Sequence, residues 1–396
     1  MSRISRYVLF ELVAVFLMTL TGITLLLLFA GLAKEGLLEG LGISSIARIV
    51  PYVLSIALQP SLPATILIAA CSVYGRMSAD NEILAIKSLG ISPLAIIYPA
   101  LALGFMVSIF GVWINDIAPS WGRTGITHVL IESAEEIVYR MLRTQKRFSG
   151  KGFSINVKGV DGKRLIEPHI TIAATDRSPT ISIRAREAEL ESKLADETFH
   201  IVLRNGIVDI GNGRYFDFQK STYRQAIPLP SVIRKGNLDS PSVVPLRRID
   251  AEAAEHQKEM AAAERLAASE AAYQLMTGDF AALTNMAEWG PRVGHIESNR
   301  SRIQRLQLEP HRRWASGFSC FFFVLVGAPL AIMMRTRNFF TTFAACFLPI
   351  LLVYYPLLAF SVDRAKDGAL PAYTVWMGNA VMACVGVWIL QRVIRY

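Results

Sequence analysis

LPATILIAACSVYGRMSADNEILAIKSLGISP, residues 62–93, decides the class of this chain. Up to Gly75 the stretch carries no charge, and the charge-free window it closes begins at Ile49, just after Arg48. Arg76 to Lys87 is polar and charged. At Ser88 a second charge-free window opens and runs to Asn115, before Asp116. Each window exceeds the roughly 20 residues needed to cross about 30 Å of hydrocarbon at 1.5 Å per residue. Backbone groups in lipid must be satisfied within their own segment, so both windows are predicted to be helices.

Working outward, four more such windows appear: Leu12 to Ala33, Trp314 to Met334, Asn338 to Val362 and Gly368 to Gln391. The predicted fold class is an α-helical integral membrane protein with six transmembrane helices. The composition agrees. Of 396 residues 52% are hydrophobic and 18% charged, where a soluble protein carries about 25% charged residues. The net charge of +9 comes mostly from residues flanking the windows, so lipid headgroups rather than nucleic acid are the expected counter-charge. Cys71, Cys320, Cys346 and Cys384 all lie inside windows and read as small core residues. Met1 to Tyr7, with Arg3 and Arg6, leads into an apolar run too long for a signal peptide and lacking a small-residue cleavage site, so a retained first helix is expected.

Orientation follows from basic residues in short loops. With a cytoplasmic N-terminus, the inside loops hold Arg3, Arg6, Arg76, Lys87, Arg335, Arg337, Arg392 and Arg395. The outside ones hold Lys34, Arg48, Arg364 and Lys366, half as many. The basic run Arg300, Arg302, Arg305, Arg312 and Arg313 then falls outside, in a long translocated region that the rule does not govern. Pro51, Pro60 and Pro63 in the second window, and Pro349 and Pro356 in the fifth, are expected to kink their helices.

Nearly two hundred residues separate the third and fourth windows. From Phe148 to Pro230, FSINV, HITIAA, TISIRA, FHIVL, GIVDI and YFDF read as short strands, with VDGK, DRSP, RNG and GNG as turns between them. That spacing predicts an inserted all-β domain, an antiparallel sandwich or jelly roll, on the extracytoplasmic side. Leu246 to Leu308 is Ala/Glu-rich and predicts a surface helical hairpin broken at Gly290-Pro291. The organisation expected is therefore 1–115 for the first three helices, 116–245 for the β domain, 246–310 for the helical segment and 311–396 for the last three helices.

The sequence has no GxxxxGK[ST] loop, no HExxH (His256 and Glu259 lack its spacing), no GxSxG and no Cys/His metal set. An enzyme, a metal site and a cofactor of the chain's own are not expected. No window holds an Asp, Glu, Lys, Arg or His, which argues against proton-coupled transport. Any transport energy is then expected from a partner. The loop from Gly75 to Ser92 reads as a short helix starting at Ser78, with Glu82 in its first turns, ended by Gly90 and Pro93.

Residues 62–93 resemble the second helix, coupling helix and third-helix start of the LptF/LptG permeases, the membrane subunits of the lipopolysaccharide-export ABC transporter. EPHRRWASGFSCFFFVLVGAPLAI, residues 309–332, resembles that family's fourth-helix start, and ISIRAREAEL, HIVLRNGIVDI and YFDF resemble its periplasmic jelly-roll strands. The Ala/Glu-rich segment is longer than the family's usual one. The resemblance implies a second LptF/LptG-type permease, an LptB-like ATPase dimer that binds the ATP, and an LptC-like periplasmic bridge as partners. It implies lipopolysaccharide as cargo, the bacterial inner membrane as location, and a cytoplasmic coupling helix within 76–90 bearing Asp80, Asn81 and Glu82. Helices one and five would form lateral gates, and Lys34 would meet lipid A phosphates. Arg305, Arg312 and Arg313, whose guanidinium groups offer paired donors to phosphate, are expected at the same headgroups. A permease for another lipid or lipoprotein and a non-transporting membrane scaffold stay open on the residues alone.

Overall fold

The computed structural model describes residues 3–34, 43–150, 153–172, 181–193, 198–209, 215–218, 222–228, 240–283, 285–336 and 338–395. Among them, six helical runs are long and apolar enough to cross a membrane. The chain divides into two compact units.

The first unit comprises residues 1–26, 55–120 and 239–396. It holds most of α1 (Arg3–Leu32) and of α2 (Ile43–Ala79), then α3 (Glu82–Ser88) and α4 (Leu94–Ile117). The helical hairpin and the last three spans complete it. Its core joins Leu12, Ile66, Leu67, Tyr74, Ile96, Phe323, Val324 and Ile350, all buried. Hydrogen bonds that cross between spans fix the packing. Tyr74 donates its hydroxyl to Ile96 O at 2.8 Å, Ser78 Oγ donates to Ile332 O at 2.6 Å, and Asn379 Nδ2 donates to Ala315 O at 2.9 Å. In hydrocarbon such polar contacts and close backbone approach, rather than a hydrophobic drive, hold helices together.

Burial differs sharply between spans. In the fourth, 67% of the apolar window is buried, but only 22% in the first and 17% in the fifth. On α1 one stripe, Val8, Leu12 and Phe16, faces the core, while Phe10, Met18, Leu26 and Phe29 are exposed. The fifth span is α10 (Phe339–Pro349), a π-turn over Ile350–Tyr354, and α11 (Tyr355–Lys366). Pro356 cannot donate to the carbonyl of Leu352, and the helix widens just before it, in place of a sharp break.

The helical segment corrects the sequence reading in one respect. The hairpin forms, but its turn lies at Gly278 (φ 75°), the left-handed C-cap of α7 (Leu246–Thr277). After the short α8 (Phe280–Leu283), α9 runs unbroken from Met286 to Met334, through Gly290-Pro291 and straight into the fourth span. Pro291 cannot donate to Ala287 O, yet the helix continues through it, as it does through Pro310 and Pro329. Arg302 with Glu252 (2.8 Å) and Arg292 with Glu270 (2.9 Å) pair the two helices antiparallel. The sixth span follows a 3₁₀ turn (Ala372–Trp376) as α12 (Met377–Arg395).

The second unit comprises residues 27–54 and 121–238. Helices precede its strands: α5 (Thr124–Glu132) and α6 (Ala134–Gln145) continue the third span past its apolar window. One antiparallel sheet then contains all nine described strands: β1 (Arg147–Gly150), β2 (Phe153–Asn156), β3 (Gly159–Asp161), β4 (Arg164–Ile166), β5 (His169–Ile172), β6 (Ile181–Lys193), β7 (Thr198–Asp209), β8 (Tyr215–Asp217) and β9 (Thr222–Pro228). β6 carries β5 and β4 along one edge and β7 along the other, and β7 carries β8 and β9. Phe153, Ile155, Leu165, Ile170, Ile183 and Leu203 face one core with Val129, Val138 and Leu142 of the helices.

VDGK makes the expected turn, with Gly162 at φ 59° between paired Asp161 and Arg164. RNG does not. Asn205 (φ 53°) kinks one continuous β7, and Gly206 lies so close to β6 that a Cβ would stand 2.2 Å from Arg184 O. The turn signal therefore marks a bend where two backbones meet. The DRSP and GNG turns fall outside the described residues.

Candidate functional site

Two groups of residues carry the sequence-level site. The first lies between α2 and α4. α2 continues through Ser78, which is buried and bonded to α9, so the short helix starts four residues later than expected. Asn81 adopts φ 59°, ψ 14°, a left-handed conformation that its short amide side chain tolerates, and α3 opens with Glu82 in its first turn. Gly90 (φ 76°) ends it. Ile83 anchors α3 in the core, and Lys87 Nζ donates to Val393 O at 3.0 Å. Asp80 and Asn81 are exposed, Glu82 is half-buried, and Leu84 and Leu89 stand out to solvent. The result is a rigidly seated helix with an open outer face.

The second group is the basic set. Lys34 and Arg305 are exposed. Arg312 donates to Glu309 at 2.8 Å, and its side chain remains 34% exposed. Arg313 is different and leaves the predicted headgroup set. Its side chain is 2% exposed, and its guanidinium is spent inside the protein. It donates to Asp116 Oδ1 (2.5 Å), Ser242 O (2.9 Å) and Val244 O (2.8 Å), with Glu309 Oε2 3.4 Å from Nε. Asp116 Oδ1 also accepts from Leu246 N at 2.9 Å, at the first turn of α7. This arginine locks the end of α4 and the start of the hairpin to α9. The sequence held a signal for it: Asp116 and Arg313 are the charges bounding two apolar windows on the same membrane side, as spans three and four must be.

Six candidate spans, a seated helix in the loop between the second and third, and a nine-stranded antiparallel domain between the third and fourth define an integral membrane protein with an inserted strand domain. Residues 6–392 match the model of the family described as lipopolysaccharide export system permease LptF/LptG, and the chain belongs to that family. A search of curated proteins finds no match.

Proposed function

We propose that this permease extracts lipopolysaccharide from the inner membrane and passes it to an LptC-like periplasmic bridge, as one of two LptF/LptG-type permeases driven by an LptB-like ATPase dimer. The ATP is bound by that partner. The N- and C-termini are cytoplasmic and the β domain periplasmic, as the short-loop cations favour. The observation that carries the reading is the uneven burial: the first and fifth spans, the expected gates, bury only 22% and 17% of their apolar windows. A lateral cavity shared with a second permease needs such surfaces, apolar enough for acyl chains.

Asp80, Asn81 and Glu82 form the ATPase contact, with Glu82 meeting a basic site. Glu82→Lys places like charges together, which at a close interface costs several kcal/mol. Export and permease-stimulated ATP hydrolysis are expected to fall about tenfold or more. Copurification and turnover at the native level in that variant would remove Glu82 from the contact.

Lys34 and Arg312, with Arg305, meet the phosphates of the cargo. A photoreactive residue at position 34 or 312, illuminated in cells, is expected to give lipopolysaccharide adducts that change with ATP turnover. Such adducts would also fix the side of the membrane. No adduct at either position, with normal export in Lys34→Gln and Arg312→Gln, would leave these cations without a cargo role.

A further inference from the structure

A cavity of about 420 Å³ opens among the loop after α2, α3, and the C-terminal ends of α9 and α12. Six crossings put these elements on one side of the membrane, together with the N-terminus. Lys87, Arg335 and Arg392 line the cavity, and among the described residues no carboxylate does. Glu82, the acid of α3, is half-buried and is not part of the lining. Beside the cations stand Leu84 and Met333, 52% and 41% exposed.

Arg335 is the first residue after α9 and Arg392 the first after the apolar window of the sixth span. The cavity therefore sits at headgroup depth. Arg335 also adopts φ 47°, a conformation at a helix C-cap that glycine takes without steric cost. An arginine there sets a strained backbone against the cation it contributes. Arg392 is supported by Trp388, whose ring centre lies 5.8 Å from its guanidinium. Lys87, held to Val393 O, faces the same space.

We infer that this cavity binds the phosphate of an anionic membrane lipid, from the leaflet on the side of the two chain ends. Two guanidinium groups and an ammonium match a phosphodiester, and the volume lies within the range of small-molecule sites. Basic pockets between spans are where anionic headgroups bind. The exposed Leu84 and Met333 favour a lipid over an acidic protein segment, because an acyl chain covers them while the headgroup meets the cations. This lipid is distinct from the transported cargo and stays at the end of the bundle opposite the hairpin lock, where its occupancy would steady α3.

The test is native mass spectrometry of the full chain in detergent, titrated with phosphatidylglycerol or phosphatidylcholine. Phosphatidylglycerol is expected to be retained at one per chain, and phosphatidylcholine not. Arg335→Gln with Arg392→Gln is expected to weaken phosphatidylglycerol roughly 25-fold, at about fivefold per cation. Arg392→Gln alone, on an exposed helix flank, should show the single step if the double variant folds poorly. Arg3→Gln with Arg6→Gln, on the same side but outside the cavity, should leave the affinity unchanged. Equal affinity in the native and Arg392→Gln chains would overturn the assignment, as would an equal loss from the Arg3 and Arg6 pair. Complete displacement by millimolar glycerol phosphate would replace the lipid with a small phosphate and overturn it too. Loss of a copurifying ATPase with lipid binding intact would assign the cavity to an acidic protein segment. Because the readout is lipid retention rather than export, failure here leaves the transport reading standing.

Discussion

Arg313→Met destabilises the first unit by about 3–5 kcal/mol, the range for breaking a buried ion pair from one side. The arginine is 2% exposed, and its removal leaves Asp116, 25% exposed, without its cation, while Glu309, 8% exposed, keeps only Arg312. It also strips the carbonyls of Ser242 and Val244 of their donor. Asp116 keeps some solvent, which places the loss toward the lower part of that range. Thermal unfolding of the purified chain in detergent reads the effect. The pairing makes a further demand. Asp116→Asn combined with Arg313→Met should cost less than the two single changes added, because residues sharing one network couple. Strict additivity, or native melting of Arg313→Met, would show that the lock contributes nothing. The same variant should expose the junction of α7 and α9 to limited proteolysis, since the first turn of α7 loses its anchor through Asp116.

How far the sequence reached depended on which physics each element uses. Six spans were legible because hydrocarbon permits only long, charge-free, internally bonded segments, and windows such as Leu12 to Ala33 have no competing reading. Where local signals are reused, reading fails. Asn205-Gly206 has the composition of a hairpin turn yet serves as a kink within β7, because only a residue without Cβ fits against Arg184 O. Gly290-Pro291 suggested a break, but the break needed a left-handed residue past the last turn, and Gly278 supplies it. Of the basic site, Lys34 and Arg305 are exposed, while the run from Arg300 to Arg313 concealed one arginine of another kind. Neighbours in sequence, Arg312 and Arg313 point to different surroundings, since successive residues on a helix lie about 100° apart. Composition names both as cations; which one finds Asp116 across nearly two hundred residues is decided by tertiary packing alone.

A meeting of two backbones between α4 and α9 gives the second large effect. At Gly317 on α9, a Cβ would stand 2.4 Å from Val112 Cγ2 and, more tellingly, 2.6 Å from Val112 N and 2.8 Å from its Cα on α4. A side-chain methyl can turn aside; a backbone nitrogen inside a hydrogen-bonded helix cannot. Gly317→Ala therefore forces α4 and α9 apart, and overpacking of this kind costs about 1–3 kcal/mol. Gly317→Leu goes beyond what separation can absorb, and the chain is expected to lose its monodisperse peak in size-exclusion chromatography. Two other glycines calibrate the claim. At Gly111, facing the same contact, the nearest atom would be Gly317 O at 3.3 Å, so Gly111→Ala needs only a small adjustment. At Gly22 on α1 nothing lies within 4 Å, so Gly22→Ala should leave melting unchanged or raise it. The order of loss expected from thermal unfolding is Gly317, then Gly111, then Gly22. Equal effects at the three positions would mean that helix propensity, not the meeting of two backbones, governs these glycines. Small residues at this contact also keep Ser108 near enough for its hydroxyl oxygen to accept from Phe321 N at 2.9 Å, so separating the helices removes a hydrogen bond where no water replaces it.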